Sequence, residues 1–129
     1  MEIFELEAKN HTPYIKLDHT TGIMEFKGRS TPENSVEFYD PINKWLNQLI
    51  ATPITIPVVV MLKFEYFNTS SSKCILDVLK KFAELKKSGV EVKVEWYYEE
   101  DDDDMKEAAE DYSDIVKIPF EIIEVPEED

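Results

Sequence analysis

Pro57-Val58-Val59-Val60-Met61-Leu62-Lys63-Phe64-Glu65-Tyr66-Phe67, followed directly by Asn68-Thr69-Ser70-Ser71-Ser72-Lys73, is the stretch on which the fold turns. It opens as an uninterrupted β-branched run, the pattern of a central strand buried on both faces, and alternates only towards its end. From Lys73 to Ser88, residues Ile75, Val78, Leu79, Phe82 and Leu85 recur along one helical face, and Gly89 stands where such a helix ends. The polar run between them is therefore a strand-to-helix junction.

Downstream, Val90, Val92, Val94 and Trp96 alternate with Glu91, Lys93, Glu95 and Tyr97, which predicts another strand. Met105 to Ile115 reads as a weaker helix and Ile118 to Val125 as a last strand, placed by Pro119 near a sheet edge or its own start. Upstream, Tyr14 to Asp18 and Ile23 to Lys27 alternate on either side of His19-Thr20-Thr21-Gly22, which predicts a hairpin ended by Gly28. Glu2 to Leu6 adds a short edge strand. Between Pro32 and Ile50, residues Val36, Tyr39, Ile42, Trp45, Leu46 and Leu49 form a helical stripe interrupted by Pro41. An interior proline costs about 3 kcal/mol, so Asp40 is expected to cap a helix that starts at Pro41, after a separate helical turn. A kinked continuous helix is the alternative. The fold class is thus α/β, a mixed sheet of about five to six strands with an opening antiparallel hairpin, then strand-helix alternation through right-handed crossovers.

The chain has 129 residues, 43% of them hydrophobic, which is enough for one modest core and predicts a single domain over 1–129. The opening segment has no basic leader, and no apolar run approaches the roughly 18 residues of a membrane span, so a cytoplasmic chain without membrane insertion is expected. Cys74 is the only cysteine, which excludes an internal disulfide and any multi-cysteine zinc site. The net charge of −14 is uneven: Met1 to Val94 carries 12 acidic and 12 basic side chains, whereas Glu95 to Asp129 carries 16 acidic residues against Lys106 and Lys117. Such a surface repels phosphate backbones and anionic lipid, so neither nucleic acid nor membrane is an expected partner.

At the junction, Thr69 to Ser72 are four consecutive hydroxyl residues at the start of a helix. The first amides there have no intrahelical acceptor and carry partial positive charge, which suits either a hydroxyl N-cap or an anion. A phosphate on Thr69 would add about −1.5 to −2 charges at this rim, with Lys73 one turn on. A cap needs only one hydroxyl and leaves three unexplained. Nucleophilic catalysis would need a base, and the two histidines, His11 and His19, lie in the hairpin region outside any motif, so no catalytic residue and no cofactor are expected.

The run Phe64 to Lys73, together with Gly28-Arg29-Ser30-Thr31-Pro32-Glu33-Asn34 and Phe38-Tyr39-Asp40-Pro41 followed by Trp45-Leu46, resembles the SiaC family of bacterial biofilm-regulating phosphoproteins. The similarity runs from Ile15 to about Val125, and Tyr66 to Lys73 is its most specific part. That family resembles the STAS domains of anti-sigma-factor antagonists. The resemblance implies a STAS-like partner-switching phosphoprotein in which a cognate Ser/Thr protein kinase phosphorylates Thr69 and a PP2C-type phosphatase reverses it. The unphosphorylated form is then expected to bind and activate a diguanylate cyclase, promoting c-di-GMP production and biofilm formation. Asn68, Ser70, Ser71 and Lys73 join the partner-binding surface by adjacency. An anti-sigma-factor antagonist and an unmodified scaffold are the alternatives.

Two acidic stretches remain, a loop at about 99–104 and a tail at 126–129. The loop lacks the glycine and glutamate of a calcium-binding EF-hand, with Met105-Lys106 and Tyr112 in their places, and reads as solvated, so no metal is expected. Tyr97 and Tyr98 read as core and rim, Arg29 as a surface or salt-bridge residue, and Cys74, in a helix's first turn, as a small packing residue.

Overall fold

The strand over Val58–Phe67 (β4) lies near the middle of a six-stranded sheet in a computed structural model that describes residues 1–127. The end of the acidic tail expected at 126–129 lies outside the described residues. The other strands are β1 (Phe4–Leu6), β2 (Tyr14–Leu17), β3 (Ile23–Ser30), β5 (Val92–Glu99) and β6 (Phe120–Val125), ordered in space as in sequence. β1, β2 and β3 pair antiparallel, and β3 to β6 pair parallel. The three crossovers carry α1 (Ser35–Ile50), α2 (Thr69–Lys87) and α3 (Asp103–Val116).

The strand order never reverses, so three right-handed crossovers deliver all three helices to the same face of the sheet. Burial agrees, because Val58, Val60, Leu62 and Phe64 are buried whereas Val59, Met61 and Lys63 are partly exposed. β4 is therefore covered on one face, which corrects the expectation of burial on both. The β-branched run reflects its central place between two neighbours rather than two helical layers. The other face is dressed with charge pairs instead: Lys63 meets Glu25 at 2.8 Å and lies 5.3 Å over the Tyr97 ring.

Three boundaries also differ from expectation. α1 runs unbroken through Pro41 with Asn34 as its N-cap, so Asp40 caps nothing. The missing amide costs the Glu37 carbonyl one bond near an exposed start, and Tyr39, Ile42, Trp45, Leu46 and Leu49 buried on both sides of the proline outweigh it. β3 continues past Gly28 to Ser30 through a bulge at Gly28/Arg29, with Gly28 at φ +113°, a backbone that glycine adopts freely. α2 begins at Thr69 rather than Lys73, so the hydroxyl run is its first turn.

The hairpin turn is held by Asp18, whose carboxylate accepts from the Thr20 hydroxyl at 2.6 Å and the Thr20 amide at 2.9 Å. Gly22 closes the turn at φ +80°, and a Cβ there would stand 2.1 Å from the Pro57 carbonyl oxygen. That close approach lets the Gly22 carbonyl accept the Val59 amide at 2.9 Å, which fixes where β4 starts against β3. The C-terminal end of β4 is set by the same register, with Ser30 opposite Phe67.

Candidate functional site

In parallel crossover units the strands' C-terminal ends and the following helix starts share one edge. Here that edge gathers the N-caps of all three helices, Asn34, Asn68 and Asp102. Because the strand order does not reverse, no crevice opens between diverging crossovers, and the edge is a surface. Asn68 caps α2, its side-chain oxygen accepting the Ser71 amide at 2.9 Å. The expected hydroxyl cap is thus corrected: an asparagine immediately before the run performs it, and all four hydroxyls are left for other uses.

Those uses differ sharply. Ser71 is fully buried, and its hydroxyl accepts from Ser30 at 2.9 Å and lies 3.3 Å from Ser35. Ser30 in turn lies 2.7 Å from the buried Tyr39 hydroxyl. Ser70 is exposed, yet its hydroxyl is tied to Ser35 at 2.8 Å and to the Asn68 oxygen at 3.2 Å. Ser72 shares a 2.9 Å contact with the Tyr112 hydroxyl, which also donates to the Ser72 carbonyl. Thr69 alone is exposed with no side-chain hydrogen bond among the described residues. The burial of Ser71 takes it off the surface, so its expected place in a partner contact is corrected. Asn68, half-buried, and the exposed Ser70 and Lys73 stay at the rim.

The turn is rigid because it is tied in two directions. One is the chain of hydroxyls from α2 through Ser35 at the start of α1 to Ser30 at the end of β3. The other is aromatic: Phe67, Trp96 and Tyr112 pack with ring centroids 5.5 to 6.4 Å apart beneath the first turn. Burial pushes the Tyr39 and Tyr112 hydroxyls up from their ordinary pKa, so both remain neutral hydrogen-bonding groups. It also raises the Cys74 thiol, a buried residue one turn further into the helix than expected.

Electrostatically the start of α2 stands apart. The first turns of α1 and α3 carry Glu37 and Asp103 with Asp104, whereas that of α2 carries no acid. The positive end of its dipole is therefore uncompensated by its own first turn, and the amides of Thr69 and Ser70 have no intrahelical acceptor. An anion on Thr69 would meet both. Of the two histidines, His11 bonds the Thr31 hydroxyl at 3.2 Å and His19 packs on Trp45.

Elsewhere the acidic run enters α3, with Asp102 as its N-cap and Asp103 and Asp104 in its first turn. Glu100, Asp101 and Glu127 do bring one oxygen each within 4.8 Å of one another, all exposed. A hydrogen bond with Asp101 raises Glu127 above its ordinary pKa, as expected of crowded like charges. Arg29 lies over the Tyr66 ring at 5.4 Å as a surface cation–π pair. Among the described residues, no helix is long and apolar enough to cross a membrane.

The architecture is that of a small one-sided mixed sheet that presents a hydrogen-bonded, hydroxyl-bearing helix start on one edge. Residues 6–125 match the SiaC family regulatory phosphoproteins, and the chain belongs to that family. An uncharacterised protein of Pseudomonas aeruginosa strain UCBPP-PA14 is 30% identical over 122 residues, covering 95% of this chain and 96% of its own. The solved structure of SiaC of Pseudomonas aeruginosa is 29% identical and superposes with a TM-score of 0.87, over 97% of this chain and all of that one. Similar at the same TM-score and identity, over 95% of this chain and 99% of the other, is SiaC in a crystal structure of the diguanylate cyclase SiaD with its activator SiaC.

Proposed function

We propose that this chain is a non-enzymatic, cytoplasmic, single-domain switch whose unphosphorylated form binds and activates a diguanylate cyclase, and that phosphorylation of Thr69 releases the cyclase. The observation that carries the site is the accounting of hydroxyls: of four in the first turn of α2, only Thr69 is both exposed and free of hydrogen bonds within the described residues. A Ser/Thr kinase can present this hydroxyl to ATP without breaking any contact of the fold, and a PP2C-type phosphatase can reach the product. The family's description as regulatory phosphoproteins and the likeness to a cyclase activator support the same reading.

The switch works through where the charge lands. The uncompensated dipole of α2 makes a dianion at Thr69 locally welcome, so phosphorylation leaves the fold intact. Docking a partner over it is another matter, because a desolvated dianion disfavours the complex unless the partner supplies a cation. The decisive measurement is calorimetric titration of the cyclase with wild-type, Thr69→Ala and phosphorylated protein. The first two are expected to bind alike and the third at least tenfold more weakly. Equal affinity of the phosphorylated form refutes the switch.

A further inference from the structure

On the face of the sheet that no helix covers lies a groove of about 820 Å3, and nothing in the phosphorylation switch uses it. We propose that this groove is a second docking site, for a basic amphipathic segment of a protein partner, and that it works independently of Thr69.

The groove sits where the strands turn their uncovered side chains outward. Tyr14 of β2 and Tyr97 of β5 line it, with their hydroxyls held by Glu5 at 2.8 Å and Glu95 at 3.0 Å. The Glu5 hydrogen bond pushes Tyr14 up to about 12, and burial raises Tyr97, so both stay neutral aromatic walls. Gly28, at the β3 bulge, has no side chain to fill the groove, and Val125 adds apolar surface from β6.

The charge of the lining selects the occupant. Glu65, Glu99, Asp102 and Glu127 contribute four carboxylates against Lys27 and Lys63, and Lys63 is already neutralised by Glu25. Beyond this rim, the chain from Glu95 onward carries 16 acids and two lysines. An apolar, aromatic bed inside an acidic rim fits a segment that presents apolar side chains downward and ammonium or guanidinium groups outward, through ion pairs and cation–π contact. Nucleic acid and anionic lipid are repelled by the same rim. The body of the groove lies across the sheet from α2 and only its Asp102 end reaches the edge of the helix caps, so its occupant stays bound in both phosphorylation states. Such a tether raises the effective concentration of a partner that the Thr69 edge then accepts or rejects.

The test is NMR titration of the isotopically labelled full chain with a short amphipathic lysine–leucine peptide, and with a glutamate–leucine peptide of the same pattern. The basic peptide is expected to shift the amides of Gly28, Lys63, Tyr97 and Val125. Its affinity is expected to fall roughly tenfold in the double variant Glu65→Lys, Glu99→Lys and to stay unchanged in Thr69→Asp. The positions reversed are exposed and half-exposed, and an unchanged amide dispersion confirms that the variant is folded. Shifts confined to residues 100–104 and α3 would mean diffuse attraction to the acidic surface and overturn the proposal. Equal binding of the acidic peptide, or no loss in the double variant, does so too.

Discussion

The Ser30 hydroxyl donates to the Ser71 hydroxyl at 2.9 Å, joining the last residue of β3 to the first turn of α2 across 41 positions of sequence. Both side chains are fully buried, so each depends on the other for its hydrogen bonding. Ser30 has a second neighbour in Tyr39 at 2.7 Å, and Ser30→Ala deprives both Tyr39 and Ser71 of a buried partner. We expect it to cost about 2 kcal/mol, and Ser35→Ala only about 1, since Ser35 meets the exposed Ser70 and reaches Ser71 at a longer 3.3 Å. Urea midpoints at constant slope measure the difference.

Ser35 also keeps Ser70 occupied. In wild-type protein, phosphopeptide mapping after reaction with the cognate kinase is expected to place phosphate on Thr69 alone. Ser35→Ala leaves the exposed Ser70 hydroxyl held only by its longer 3.2 Å bond to Asn68, and a minor second phosphopeptide at Ser70 is the expected result. Ser72→Ala, which disturbs only the contact with Tyr112, is expected to keep the single site.

Asn68 caps α2 through the Ser71 amide, and Asn68→Ala is expected to cost about 1 kcal/mol. The loss is local. Hydrogen exchange therefore speeds up at the Ser71 amide well before the middle of α2 responds, and uniform acceleration along the helix contradicts this assignment.

Asp18 ties the hairpin turn as a carboxylate. The Thr20 hydroxyl, helped by the Thr20 and Thr21 amides, holds its pKa below the ordinary 3.8 although burial pushes the other way. A depressed folded pKa contributes stability that is fully present above the unfolded value and is lost as pH falls through the folded one. Asp18→Asn keeps an acceptor but removes the charge, and is expected to cost about 1 kcal/mol at neutral pH. The gap to wild type closes below the ordinary 3.8. Urea titrations at neutral and strongly acid pH read both values.

Gly22→Ala places a methyl 2.1 Å from the Pro57 carbonyl oxygen at a φ of +80°. The neighbour is backbone and cannot swing aside. A loss of about 3 kcal/mol, from strain and overpacking together, is expected in thermal unfolding. Gly89→Ala, which meets nothing within 4 Å, is expected to lose only about 1 kcal/mol, from its positive φ alone.

Much of the architecture is legible in the chain itself. The alternation at 14–18 and 23–27, the stripe from Ile75 to Leu85 and the strand-helix alternation after it each report a local period that the backbone enforces, and all survive in the fold. Pro41 misled because its cost is local whereas the compensation, burial of residues on both sides of it, is tertiary. Val59 and Met61 misled because an apolar strand residue does not record whether a helix lies above it. That depends on the direction in which successive crossovers step across the sheet.

Thr69 shows the same division. Its place in a hydroxyl run after a strand, and the residues around it that resemble one family, were evident from the sequence, because a helix start and a family motif are both local in the chain. Which of the four hydroxyls is free was not. That is decided by Ser30, Ser35, Tyr39 and Tyr112, between 30 and 43 positions from Thr69, which come to the α2 start only when the β3–β4 register and the helix packing bring them there. Hydrogen bonds of this range leave no periodic trace in sequence, so the run of hydroxyls is written in the chain, and the freedom of one of them belongs to the fold.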